Sequence, residues 1–172
     1  GVAMVAVHGR TRAQAYRGKA DWEYLEELAQ SSPLPIIGNG DLHHTSLVKN
    51  RMENTHCQAL MLARGPLRNP FLFLTPYGDE EFTGSDYFEV IVKLHEYTVE
   101  FFDRPQIQLL QIRKLILWFA AGFHNASHFR AQAFACPELP DLMKITEDFY
   151  LSLGDRSKQI NFDEPFMNSG HG

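Results

Sequence analysis

Apolar and polar positions alternate along the chain with two different periods. The opening GVAMVAV is a continuous apolar run rich in β-branched residues, which predicts a buried strand. DWEYLEELAQSS follows with Trp22, Leu25 and Leu28 at helical spacing and Asp21 placed to cap it. LPIIG is a second buried strand, closed by the turn residues of GNGD. TSLVKNRMENT predicts a helix with Thr45 as its N-cap and Leu47, Val48 and Met52 as its apolar positions. QALMLA is a third strand, and RGPLRNPFLF predicts a further helix. Strand–helix order repeated three times predicts parallel strands with crossover helices, an α/β class.

Beyond PYGDEEFTGSD, a segment with the Pro, Gly and acidic content of a linker, the period is helical throughout. DYFEVIVKLHEYTVEFF places Phe88, Ile91, Val92, Leu94 and Val99 on one side. PQIQLLQIRKLILWFAAGF is the most apolar stretch. Its Trp118 and Phe119, with Phe123, are expected in the core rather than as base-stacking platforms. ASHFRAQAFAC and LPDLMKITEDFYLSL bring the count to about four helices, a small all-α bundle. The expected division is therefore residues 1–77 and 78–172, with a loose tail from about Gly154.

Composition refines this picture in three places. The two cysteines, Cys57 and Cys136, have no paired spacing, which fits a reducing cytoplasm and gives no metal signature with the eight scattered histidines. No apolar run approaches about eighteen residues, so no membrane span is expected. The net charge of −5 is uneven: residues 1–77 hold 8 Lys+Arg against 6 Asp+Glu, and residues 78–172 hold 8 against 15. That balance is less basic than nucleic-acid binding usually requires.

The chemistry gathers where the three strands end: VHGRTR, GNGD and ARG. Ligands of parallel α/β folds sit at the carboxyl ends of strands. Glycine there lets backbone approach a ligand, exposed amides hold a phosphate, and an arginine adds a bidentate donor. His43 and His44 after GNGD are expected as a solvent-facing pair at a helix start.

Three stretches, HGRTRAQAYRGKADW, PIIGNGD and ALMLARGPLRNPFLF, resemble the carboxyl-terminal barrel half of tRNA-dihydrouridine synthases. That family's pattern runs HGRTR-x-Q-x-Y-x-G-x-ADW, then P-x-x-GNGD, then G-R-G-x-x-x-NP-W/F. QIRKLILWFAAGFHNASHFRAQ is similar to the family's helical-domain segment, so the resemblance spans nearly the whole chain. It implies a partial TIM (β/α)8 barrel of about three βα units, binding FMN, followed by a tRNA-binding helical bundle. It further implies reduction of a tRNA uridine with NADPH as reductant. His8 would face the flavin ring and the substrate base, and Arg10 would line the same pocket. Asn39, Gly40 and Asp41 would lie at the ribityl-phosphate end, and Ala63, Arg64 and Gly65 at the phosphate. Arg12, Tyr16 and Gly18 would shape the rim. Ala63 departs from the family's glycine.

Candidate tRNA contacts in the bundle are Lys93, Arg113, Lys114 and Arg130. Measured against the family, the chain starts at about the sixth strand. The segment bearing the general-acid cysteine is then missing, and the chain alone is expected to be inactive. Neither Cys57 nor Cys136 lies at a strand's carboxyl end to replace it. A partial barrel exposes edges, so self-association is expected. The alternatives are a non-catalytic RNA-binding module and an FMN barrel acting on a small molecule.

Overall fold

Three parallel strands, β1 (Val5–His8), β2 (Ile36–Asn39) and β3 (Ala59–Met61), form one sheet in the order β1-β2-β3 in the computed structural model. The structure describes residues 1–15, 17–78 and 81–156, and these fall into two compact units, within Gly1–Asp79 and within Glu80–Asn161. In the sheet, His8 pairs with Asn39 and Asn39 with Met61, so the strands end level. The crossovers are helices α1 (Trp22–Ser31) and α2 (Thr45–Glu53). Parallel strands with helical crossovers put all three carboxyl ends on one edge of the sheet.

The core of this unit is Trp22, Leu25, Ile36, Leu42, Val48, Cys57 and Leu72. Gly38 in β2 is a packing glycine: a Cβ there would lie 2.9 Å from the Trp22 ring and 3.0 Å from Cys57 Sγ. Asp21 caps α1 as its position predicts, accepting from the Tyr24 amide at 2.9 Å. The cap of α2 is one residue earlier than expected. His44, not Thr45, has the extended backbone, and its Nδ1 accepts from the Ser46 amide at 3.1 Å. Of the three apolar positions expected on α2, only Val48 is buried.

RGPLRNPFLF does not form an α-helix. It makes two 3-10 helices, Gly65–Leu67 and Pro70–Tyr77. Pro66 and Pro70 each remove an amide donor, and Asn69 Oδ1 accepts from Phe71 N at the break between them. Val48, Met52, Leu60, Leu62, Leu72 and Phe73 line a cleft of about 350 Å³ beside β3. Val5, Met61 and Phe73 are exposed, together with Val2 and Met4. Light scattering of the purified chain is therefore expected to give a mass above the 19.7 kDa of one copy. A monodisperse monomer would count against association through these surfaces.

The second unit consists of α3 (Gly84–Phe101), α4 (Pro105–Ala120), α5 (Ala126–Ala135) and α6 (Leu139–Ser152). A reciprocal cap between Thr83 and Asp86 starts α3 two residues before the expected Asp86, with Thr83 N donating to Asp86 Oδ2 at 2.7 Å. Its buried residues are Gly84, Tyr87, Ile91 and Thr98, whereas Val92 and Val99 face out, so the buried stripe is rotated from the expected one. Gly84 permits close contact with α6: a Cβ there would fall 2.2 Å from the Tyr150 carbonyl oxygen.

Aromatic rings fill the centre. The Tyr87 ring meets Phe123 edge-on at 5.0 Å between centroids and stacks with Tyr150 at 6.4 Å. The Tyr150 hydroxyl donates to the Ile116 carbonyl at 3.3 Å, and burial pushes its ionisation well above the ordinary phenol range. Phe119 and Phe123 are core residues as expected. Trp118 is only half-buried, with the Lys114 ammonium 4.8 Å above its ring. No helix among the described residues is long and apolar enough to cross a membrane.

Candidate active site at the strand ends

The level strand ends are tied together by side chains. His8 Nδ1 lies 2.6 Å from Asn39 Oδ1, and Asn39 Nδ2 donates to the Met61 carbonyl at 2.5 Å. One amide thus joins the last residues of all three strands. The ribityl-phosphate contact expected of Asn39 finds both ends of its side chain engaged within the protein. His8 itself is exposed.

Arg10, expected to line the pocket, is instead an internal clamp. Its side chain is only 4% exposed. Nη2 donates to Asp41 Oδ2 at 2.9 Å and to the Gly18 carbonyl at 2.7 Å, and Nη1 lies 2.8 Å from Asp41 Oδ1. Asp41 Oδ2 also accepts from the Ala20 amide at 2.7 Å. The GNGD turn needs left-handed backbone to present this carboxylate, with φ 138° at Gly40 and 55° at Asp41. A Cβ on Gly40 would sit 2.4 Å from the Ala20 Cβ, and Trp22 Nε1 donates to the Gly40 carbonyl at 2.9 Å. Arg10 and Ala20, near the two ends of the segment between β1 and α1, are thereby tied to the turn. Burial raises the Asp41 carboxyl, but the Ala20 amide and Arg10 outweigh it, so it ionises below the usual carboxylate range.

A basic group stands beside this clamp. Arg68 is buried, and Arg64, His43 and His44 are half-buried. Burial is the main reason His43 protonates below the ordinary imidazole range. Asp41 opposes the shift, while Arg68 and Arg64 add to it. His44 is lowered by burial and then by His43. The two histidines are therefore not a solvent-facing pair. Arg68, Ala20 and Trp22 were not foreseen as site residues, although Arg68 stands one helical turn after Arg64 in RGPLR. Arg64 and Arg68 both act electrostatically on His43, which places two guanidiniums near the Asp41–Arg10 pair.

Gly65 was expected to let backbone approach a phosphate. It is buried against protein: a Cβ would lie 2.4 Å from the Leu42 carbonyl oxygen and 2.9 Å from His43 Cα. Ala63, two residues beyond β3, is exposed. Arg12 is exposed on the rim loop, Gly18 takes a positive φ of 68° in open space, and Tyr16 lies outside the described residues. Among the described residues no group of three or more His, Cys, Asp or Glu side chains is placed to hold a metal ion.

The candidate tRNA contacts of the helical unit separate on inspection. Arg113 donates to the Cys136 carbonyl and ties α4 to the α5–α6 connection, so it is a structural residue. Lys93 pairs with Glu96 at 2.6 Å on an exposed face. Lys114 stands over Trp118, and Arg130 is exposed beside Leu117, Ser127 and Phe134.

Parallel strands ending level, a glycine turn in left-handed backbone and a basic group beside it make the carboxyl edge of the sheet a candidate βα-type ligand site. The family is a narrower matter, and sequence comparison supplies it. The family model described as Dihydrouridine synthase (Dus) matches residues 1–150, and the chain belongs to that family, whose fold is a TIM barrel. A probable tRNA-dihydrouridine synthase of Rickettsia typhi is 26% identical over 165 residues, 92% of this chain and 50% of its own length. Probable tRNA-dihydrouridine synthase 1 of Synechocystis is 33% identical over 147 residues, 78% of this chain and 39% of its own. A human tRNA-dihydrouridine(47) synthase, NAD(P)(+)-like, is 47% identical over 74 residues, 42% of this chain and 11% of its own. The chain spans about half the length of the first two Rickettsia relatives it matches. The three-stranded parallel sheet and its crossover helices are consistent with part of a barrel.

Proposed function

We propose that this chain is the carboxyl-terminal portion of an FMN-dependent tRNA-dihydrouridine synthase, which reduces uridine in tRNA to 5,6-dihydrouridine with NADPH. The observation that carries this reading is the pairing of His8, Asn39 and Met61 at level strand ends with the adjoining arginine group. The donor set fits a flavin mononucleotide: a dianionic phosphate suits Arg64 and Arg68 beside the Gly40 turn, and His8 is exposed at the sheet edge for the ring. FMN when bound supplies the hydride chemistry.

This chain's own residues bind and orient. Arg64 and Arg68 hold the phosphate. Asp41, Arg10 and Ala20 hold the turn that carries Gly40. Arg12 on the exposed rim, with Lys114 and Arg130 in the helical unit, meets the phosphates of tRNA. Among the described residues neither cysteine is placed to give a proton to the base. Cys57 is buried in the core, and Cys136 follows α5, far in sequence from any strand end. Turnover by this chain alone is therefore not expected.

The test is the visible absorption spectrum of the purified chain after addition of FMN and dialysis. Retained flavin is the expected result, and Arg64→Ala is expected to weaken retention about tenfold or more, the scale of a charge-assisted hydrogen bond. Flavin retained equally by both proteins would remove Arg64 from the site, and flavin lost from the parent would overturn the flavin reading for this chain.

A further inference from the structure

We infer that Asn39 is a positioning residue that locks His8 in the Nδ1–H tautomer and leaves His8 Nε2 as a hydrogen-bond acceptor. The argument starts from the Met61 carbonyl. A carbonyl oxygen only accepts, so the Asn39 atom 2.5 Å from it is the amide nitrogen. That fixes the orientation of the amide, which at ordinary resolution is often ambiguous. Asn39 Oδ1 then faces His8 Nδ1 at 2.6 Å. An amide oxygen also only accepts, so the hydrogen of this bond belongs to Nδ1. In the neutral ring the other nitrogen, Nε2, carries a lone pair. His8 is exposed, and its Nε2 makes no hydrogen bond with the described residues.

The lock inverts a default. The neutral histidine side chain in water prefers its proton on Nε2, and an exposed histidine without a partner follows that preference. Here a chain of three groups on three strands sets the opposite tautomer, Met61 carbonyl to Asn39 amide to His8 ring. Strand register supplies the alignment, because His8 pairs with Asn39 and Asn39 with Met61. Asparagine is the residue for this place because it donates at one end and accepts at the other. Aspartate would accept from His8 but meet the Met61 carbonyl oxygen without a proton to share.

The consequence concerns the ligand edge that neutral His8 selects. Nε2 accepts from an N–H or O–H and offers nothing to a carbonyl. The ligand placed there therefore presents a donor edge, such as the imide N–H that flavins and uracils share. This last step rests on the flavin reading above. The tautomer does not.

The test needs no ligand and no turnover. Long-range proton–nitrogen correlation NMR of the nitrogen-15-labelled 172-residue chain is recorded at about pH 8.5, about two units above the ordinary imidazole value. His8 is assigned by its disappearance in His8→Gln. The expected spectrum has a pyrrole-like Nδ1 and a pyridine-like Nε2. Asn39→Ala is expected to exchange the two signals toward the Nε2–H form. Asn39→Asp is expected to keep Nδ1 protonated, which a merely space-filling role for Asn39 does not require. A pyridine-like Nδ1 in the unmodified chain overturns the proposal. So does an Asn39→Ala spectrum identical to the parent. If Asn39→Ala does not fold, the parent spectrum still decides. A chain that shows the Nδ1–H form yet retains no FMN keeps the tautomer lock and removes only the flavin reading.

Discussion

Asp41→Ala is expected to destabilise the first unit by about 2–3 kcal/mol, below the cost of breaking a fully buried ion pair from one side because the Asp41 side chain is 27% exposed. The Arg10 side chain, 4% exposed, would keep its charge and lose the carboxylate that faces two of its nitrogens. The Ala20 amide would lose its acceptor as well. Asp41→Asn is expected to cost less, because the amide oxygen still accepts from Ala20. Urea unfolding followed by circular dichroism checks both, and equal midpoints for Asp41→Ala and the parent would refute the clamp.

The same pair sets a pH dependence. The Asp41 carboxyl is depressed in the folded chain, since the Ala20 amide and Arg10 outweigh the effect of burial. The unfolded chain therefore takes up that proton more readily than the native one. The stability from this group is complete above the ordinary carboxyl value of about 4 and is lost as pH falls through the lower native value. Asp41→Asn is expected to flatten the acid limb of the stability curve.

Gly65→Ala is expected to cost about 2–3 kcal/mol and to abolish flavin retention with it. The added methyl would fall 2.4 Å from the Leu42 carbonyl oxygen, 2.8 Å from Leu72 Cδ1 and 2.9 Å from His43 Cα. Two of those three are backbone atoms, which do not step aside as a side-chain end does. The 3-10 turn carrying Arg68 would be levered off the segment that carries His43. Gly18→Ala is the control: φ is 68° but no atom lies within 4 Å of the new Cβ, so only the conformational penalty of about 1 kcal/mol is expected. A Gly65→Ala midpoint no lower than that of Gly18→Ala would refute the packing argument.

Local features were legible in the sequence and partnerships were not. Asp21 before Trp-x-x-Leu reads directly as a helix cap, because capping is settled within three residues. The three strands read from their apolar runs, but β1 is not the buried strand expected: it begins only at Val5, where its amide reaches the Pro35 carbonyl at 3.0 Å, and Val5 and Ala6 are exposed while Val7 is half-buried. The length of a strand depends on its partner, and the run GVAMVAV does not contain that partner. Pro66 and Pro70 already opposed an α-helix in RGPLRNPFLF, and the apolar run around them hid that signal. Arg10 and Asp41 lie 31 residues apart, and nothing local distinguishes a guanidinium that binds a ligand from one that binds a carboxylate of its own chain. Arg113 and Cys136, 23 residues apart, repeat that lesson in the helical unit. Glycine at position 65 was legible as a place of close approach. What approaches it is the Leu42–His43 backbone.

The chain contains two tryptophans, and the structure puts one in each unit. Trp22 is buried, bonded through Nε1 to the Gly40 carbonyl, with the Arg51 guanidinium 4.7 Å from its ring. Trp118 is half-buried beneath Lys114. Each unit therefore carries its own fluorophore. Trp118→Phe leaves an emission that reports the GNGD turn alone, and Trp22→Phe leaves one that reports the helical bundle alone. The melting of the sheet unit and of the helical unit can be read separately from one intact chain, without cutting it.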